Sequence, residues 1–354
     1  MQHKFGALDL IRAGLQDLDR ARTLFDELHN DGIDDDRMRL LLATLEKACD
    51  PDIALSNLVD IIKVMQSQGK DFTNIIADEN SFVRLITVLG VSDEMGKLMR
   101  FRPELVEAAA NDACESHLYN HEQRRAHVLK SVGADPNDHT MPTASLPLAE
   151  AATALRKTYR KQLAAIMAQD ATANDPIEIQ PRISTELSDL ADAALEGALA
   201  IARHEVDGSE HVRFAIIGMG KLGAQELNYV SDVDLIYVVE PADMDTNGMA
   251  LSRIGTKMAT TLQRVCQSVI MGVAEPTLWQ IDGGLRPEGK DGPLVRRLES
   301  HEAYYEQWAE NWEFQALLKA RPVAGDTDLG QAYMDMTRPF VWTASKRDNF
   351  VYDC

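Results

Sequence analysis

The stretch Phe214–Glu240, FAIIGMGKLGAQELNYVSDVDLIYVVE, decides how the rest of the chain is read. It runs as an apolar strand, a glycine-rich turn, a short polar segment and a second apolar strand opened by Asp232 and Asp234. Side chains alternate faces along a strand, so residues i and i+2 point the same way. Asp232 and Asp234 therefore project together beside the turn. Two carboxylates on one face can hold a hard divalent cation, and a glycine turn with Lys221 beside it can hold phosphate. The pattern implies metal-dependent chemistry on a nucleotide.

Gly218-Met219-Gly220-Lys221-Leu222-Gly223 also matches the GxGxxG fingerprint of dinucleotide-binding folds, and Glu240 ends the next strand where a ribose-binding acid would sit. That reading needs a crossover helix of several turns after the glycines. Only Ala224–Ser231 separates Gly223 from Asp232, and Asn228, Tyr229 and Ser231 are weak helix formers. A buried parallel strand would not open with two acids without a purpose. The dinucleotide reading is therefore set aside.

Outward from this stretch, the chain up to residue 208 reads as helical. Leu55, Leu58, Val59 and Ile62 form an amphipathic stripe, Asp50-Pro51 marks its start, and Asp34-Asp35-Asp36 reads as a solvated helix start. Residues 132–147 and 172–176 are rich in turn formers. A helix with many cationic residues lies around Leu155–Met167. In the next one Leu187, Leu190, Ala191, Ala194, Leu195 and Ala198 share an apolar face. Strand character appears at Arg213–Ile217, Val233–Val239 and Thr277–Ile281, with a helix from Met249 to Ile270 between the last two. After Gly292 a helix carries Tyr304, Tyr305, Trp308 and Trp312 at helical spacing, a stripe that reads as core packing. The expected organisation is a helical region over 1–208, a catalytic domain over 209–300 and the start of a helical domain over 301–354. The chain is expected to be part of something longer. The fold class is α+β, mostly helical with one small mixed sheet.

The formal net charge of −20 argues against general nucleic-acid binding. Cys49, Cys114, Cys266 and Cys354 form no CxxC pair, which points away from disulfides and zinc and towards a reducing cytoplasm. No signal-peptide core or membrane-spanning apolar run is visible. His117 and His121 have a zinc-compatible i, i+4 spacing, but no acid follows as in HExxH, so a solvent-facing helix is expected.

Gly220 followed after eleven residues by Asp232-Val233-Asp234 resembles the glycine turn and DxD pair of nucleotidyltransferases related to DNA polymerase beta. Such enzymes need a third carboxylate on a neighbouring strand, and Asp282, closing Thr277–Ile281, is the candidate. Three converging carboxylates can hold two Mg²⁺ ions about 4 Å apart that clamp attacking and leaving oxygens at phosphorus. Arg286, Lys290, Arg296 and Arg297 follow within LRPEGKDGPLVRR as a phosphate-holding loop or, for the last two above all, a solvated basic face. Lys319 and Arg321 end the striped helix, where they complete its C-terminus or reach the same pocket.

GMGKLGAQELNYVSDVDLIY, IDGGLRPEGKDGPLV and YYEQWAENWEFQALLKARPVAGD together, in this order, resemble the glutamine synthetase adenylyltransferases, bifunctional enzymes that add AMP to a tyrosine of glutamine synthetase and remove it. The likeness is strong over Arg213–Asp326 and weaker over the helical half. ELNYVSDVDLI is closer to the family's N-terminal, adenylyl-removing half. The resemblance implies attack by inorganic phosphate on adenylyl-tyrosine to give ADP, with adenylyl transfer from ATP as the alternative. It implies Mg²⁺ at Asp232, Asp234 and Asp282. The phosphate-holding turn would be Gly218, Gly220 and Lys221, braced by Asn228 and Ser231, with Arg286 on a phosphate. Glutamine synthetase is the expected substrate, a PII-type nitrogen-signalling protein an expected partner, and the cytoplasm the expected location. Two departures stand out: lysine follows Gly220 where polymerase-beta relatives often have serine, and Gly283-Gly284 replaces an arginine-containing pair, for which Lys290 is expected to compensate. A rival of another class is a regulatory binding module with vestigial acids.

Overall fold

A computed structural model describes residues 5–70, 72, 75, 77–110, 119–243 and 247–347. His117, Cys114 and Cys354 lie outside the described residues. Contacts divide the chain into two compact units, Met1–Leu118 with Arg160–Gln180, and Tyr119–Tyr159 with Pro181–Cys354.

The first unit is helical. Its helices include α1 (Ala7–Arg12), α2 (Leu18–Asn30), α3 (Asp35–Leu45), α4 (Pro51–Ser67), α5 (Glu79–Val91), α6 (Asp93–Phe101) and α7 (Pro103–Ala110). The acid runs start helices as their chemistry dictates: the Asp34 carboxylate accepts from Arg37 N and that of Asp50 from Ile53 N, with Pro51 at the first helical position. The stripe Leu55, Leu58, Val59 and Ile62 is buried in this unit's core.

The second unit holds α8 (His121–Ser131), residues 181–205 of α10 (Pro176–Glu205) and a five-stranded mixed sheet. Residues up to Tyr159 of α9 (Leu148–Ala171) also belong to it. β1 (Val212–Gly218) lies between β2 (Val233–Pro241) and β5 (Arg321–Gly325), antiparallel to both. β2 pairs in parallel with β3 (Ile281–Asp282) and with β4 (Val295–Arg296). Antiparallel pairing of β1 and β2 rules out the parallel unit that a dinucleotide site requires.

One sheet face packs Ala215, Ile217, Ile236 and Val238 against α12 (Leu298–Gln307), α13 (Asn311–Leu317) and α14 (Thr327–Ala344). On the other lies α11 (Gly248–Gln267), where a Cβ at Gly255 would stand 3.0 Å from Val239 and 3.3 Å from Val295, so glycine lets helix and sheet close up.

Three expected elements differ. The strand Thr277–Ile281 pairs only through its end: Leu278 N donates to Cys266 O and Ile281 N to the Gln267 side chain, tying the segment to the end of α11. The striped helix is two, broken before Glu310, whose capping box with Glu313 starts α13. Tyr305 joins the core, whereas Trp308 is 73% exposed, so the stripe is only partly core. Arg321, expected at a helix end, opens β5. Among the described residues no helix is long and apolar enough to cross a membrane.

Candidate nucleotidyl-transfer site

The β2–β3 register sets Asp234 directly beside Asp282. Asp232 lies just before β2, exposed, with its charge acting on Asp234. Asp234 is half-buried, and burial, followed by the charges of Asp232 and Asp282, pushes its carboxyl above the ordinary range, with Lys221 pulling the other way. Asp282 Oδ1 also accepts from Gly284 N at 2.6 Å, which fixes that carboxylate.

The glycine turn lies against the same group. Met219 N donates to Asp234 O at 2.8 Å, and Gly220–Gly223 make one helical turn. Gly220 has φ +52°, and a Cβ there would stand 2.4 Å from Asp234 Oδ2. A Cβ at Gly223 would stand 1.9 Å from Lys319 O. Backbone and carboxylate approach too closely for any side chain. Ser231 Oγ, two residues before Val233, is buried without a hydrogen-bond partner, whereas Asn228 is exposed.

Of the cations expected to hold phosphate, Arg286, Lys319 and Arg321 have partners within the chain. Arg286 donates to Gly283 O at 2.6 Å, Lys290 O at 3.2 Å and Gly292 O at 3.2 Å, bracing its own loop. A Cβ at Gly283 would stand 2.9 Å from Arg286 Nη1, so a glycine after Asp282 suits this brace. Lys290 has an exposed side chain and lends its carbonyl to Arg286. Arg296 pairs with Glu288, and Arg297 with Glu240 at 3.0 Å. Glu240, which also accepts from Leu298 N, thus starts α12 and holds an arginine. Lys319 pairs with Glu226 at 2.7 Å.

Arg321 donates to Leu222 O and Gly223 O and forms a two-pronged ion pair with Asp192 of α10. The Asp192 side chain is fully buried and lies 3.5 Å from His121 Nε2. His121, Asp189 and Asp192 offer ligand atoms within 4.8 Å of one another, a group that could hold a metal ion. His121 and Asp189 also line a pocket of about 520 Å³ with Arg125, Gln225 and Arg321. The expected solvent-facing helix is corrected here: α8 buries Arg124 on Glu186 and turns Val128 and Leu129 inward. Asp189, Asp192 and Glu196 were not singled out from sequence. Their signal is acids interleaved in a helix that is otherwise apolar on nearly every side.

A family model described as glutamate-ammonia ligase adenylyltransferase matches residues 82–336. The chain belongs to this family. It is 74% identical over 351 residues to the bifunctional glutamine synthetase adenylyltransferase/adenylyl-removing enzyme of Bifidobacterium longum strain DJO10A, covering 99% of this chain and 33% of that one. The enzyme of the same name from Cutibacterium acnes is 40% identical over 345 residues, covering 97% and 34%. That of Streptomyces avermitilis is 38% identical over 348 residues, covering 97% and 32%. The chain spans about a third of the length of these relatives. The adenylyltransferase family is one of nucleotidyl-transferring enzymes.

Proposed function

We propose that the chain carries Mg²⁺-dependent removal of AMP from adenylylated glutamine synthetase by phosphorolysis, releasing ADP. The observation that carries this is the register of Asp234 on Asp282, with the charge of Asp232 acting on Asp234 and Gly220 pressed against it. The residues present fit divalent ions: like charges already load Asp234, and Gly220 leaves its carboxylate room. Asp232, Asp234 and Asp282 would hold the Mg²⁺. Bound there, Mg²⁺ would neutralise charge on the phosphates and on the departing phenolate.

Gly220 and Lys221 would orient the attacking phosphate through backbone and charge, with Gly218 and Ser231 shaping the turn. A phosphate oxygen forms a bond to the adenylyl phosphorus, the bond to the tyrosine oxygen breaks, and the phenolate takes a proton. The products are ADP and free tyrosine. The likeness of ELNYVSDVDLI to the adenylyl-removing half supports this direction, and a PII-type signalling protein is the expected regulatory partner.

The test mixes the protein with adenylylated glutamine synthetase, Mg²⁺ and phosphate and follows ADP beside the Asp232→Asn, Asp234→Asn variant. ADP release lost in that variant supports the reading. ATP consumption with unmodified glutamine synthetase, and no ADP from the modified one, would replace it with adenylyl transfer. Failure to bind Mg²⁺ or nucleotide would leave a regulatory binding module.

A further inference from the structure

The glycine turn is held on two sides. Gly220 lies on Asp234, and the carbonyls that close the turn, Leu222 O and Gly223 O, accept from Arg321 Nη2 at 3.1 Å and Nε at 3.2 Å. Leu222 O also accepts from Gln225 N at 3.2 Å, so Arg321 adds a second bond there and a bond to Gly223 O, and an arginine can reach both carbonyls at once. The guanidinium is itself fixed: Nη1 and Nη2 donate to Asp192 Oδ2 at 2.5 Å and Oδ1 at 3.2 Å. Arg321 stands opposite Gly218 in the β1–β5 register, and the far end of β5 is tied down where Gly325 N donates to Glu196 Oε2 at 2.6 Å. Two carboxylates of α10 thus hold β5, and β5 presents one planar fork to the turn. A lysine could supply the charge, but not two carbonyl contacts and a two-pronged carboxylate pair together.

We propose that Arg321, anchored by Asp192, is the positioning residue of the nucleotide-binding turn: it fixes Leu222 and Gly223 and so sets where Gly220 and Lys221 meet the phosphates. This replaces a direct phosphate contact by Arg321, and it rests on the nucleotidyl-transfer reading of the site. Asp234 and Asp282, on β2 and β3, and Asp232 just before β2 would hold the metal, whereas the bonds from Arg321 go to Leu222 O, Gly223 O and Asp192, so cation binding and phosphate placement separate.

The experiment compares Arg321→Lys, Asp192→Asn and the double variant with the unaltered protein in four measurements. These are thermal unfolding, Mn²⁺ affinity by electron paramagnetic resonance, ADP affinity by calorimetry, and kcat and KM for phosphate. Expected are cooperative unfolding and Mn²⁺ affinity within about twofold, with ADP affinity down about tenfold and kcat down about a hundredfold, the scale of a reacting group misplaced by about 1 Å. The double variant should lose little more than either single one, because both break the same support. A folded Arg321→Lys protein with unchanged ADP affinity overturns the proposal. So does Mn²⁺ bound in the Asp232→Asn, Asp234→Asn background with nitrogen coupling from an imidazole, because His121, Asp189 and Asp192 would then be ligands of an ion and not a support. If the unaltered protein binds ADP but releases none from adenylylated glutamine synthetase, the proposed reaction fails while the affinity measurement still judges Arg321.

Discussion

Two aspartates of the second unit, Asp234 on the sheet and Asp192 on α10, have opposite surroundings. On the sheet, burial and the charges of Asp232 and Asp282 drive Asp234 towards its protonated form, with Lys221 pulling the other way. On α10, Asp192 is more deeply buried, yet Arg321 grips it with two prongs and His121 stands beside it. Folding tolerates a buried acid when a cation and hydrogen bonds meet it. It gains nothing from three acids held together, so such a group persists where chemistry requires it. Burial alone would have ranked Asp192 above Asp234 as a functional residue. The balance of charge reverses that order.

Neutralising Asp234 sharpens the contrast most. Asp234→Asn should lower ADP release by about a thousandfold or more, the range in which loss of preorganised charge stabilisation falls. The same substitution should leave the melting temperature unchanged or raise it, because like-charge repulsion is relieved. Asp192→Ala should do the reverse to stability. It leaves Arg321 without its counter-ion in a part-buried place, at a cost of about 3 kcal/mol read from denaturant unfolding. Equal destabilisation by the two substitutions would break the comparison. Below Asp234→Asn in effect on turnover stands Gly220→Ala, whose Cβ would meet Asp234 Oδ2 at 2.4 Å with φ at +52°. Turnover should fall about a hundredfold, with a loss of about 1–2 kcal/mol for the left-handed conformation.

The sheet group was legible in sequence because its signal is local. Glycines, two acids and two apolar runs lie within one stretch, and Asp282 closes a segment bounded by Gly283-Gly284. The α10 group was not legible, since Asp192 acquires its meaning from Arg321, and nothing near Arg321 in the chain announces a strand. Cations after a helix read as its terminus, and only pairing with β1, about a hundred residues earlier, makes Arg321–Gly325 a strand. Helix starts such as Asp50-Pro51 were read correctly because the cap and the first turn are contiguous. Thr277–Ile281 was read as too long a strand for the opposite reason. Its apolar residues were visible, but the bonds that tie it to Cys266 and Gln267 were not.

The smallest effect separates the two kinds of aspartate by pH. Asp326, the N-cap of α14, pairs with Arg213 at 2.7 Å. Burial pushes its carboxyl up, but hydrogen bonds from Arg213 and Leu329 N outweigh it and hold the carboxyl below the ordinary value of 3.8. A depressed acid contributes stability that is present above pH 3.8 and is lost as pH falls through its lower, folded-state value. Asp234 is raised, so the folded state binds its proton more readily, and stability is regained as pH falls through that raised value towards 3.8. The gap in melting temperature between the unaltered protein and Asp326→Asn should therefore be full at neutral pH and close only under strong acid, with about 1 kcal/mol at stake. The gap for Asp234→Asn should have the opposite sign and close at a higher pH. If both gaps closed together with the same sign, the sheet acids would be as well compensated as the Arg213 pair, and the case for a functional group at Asp232, Asp234 and Asp282 would lose its electrostatic basis.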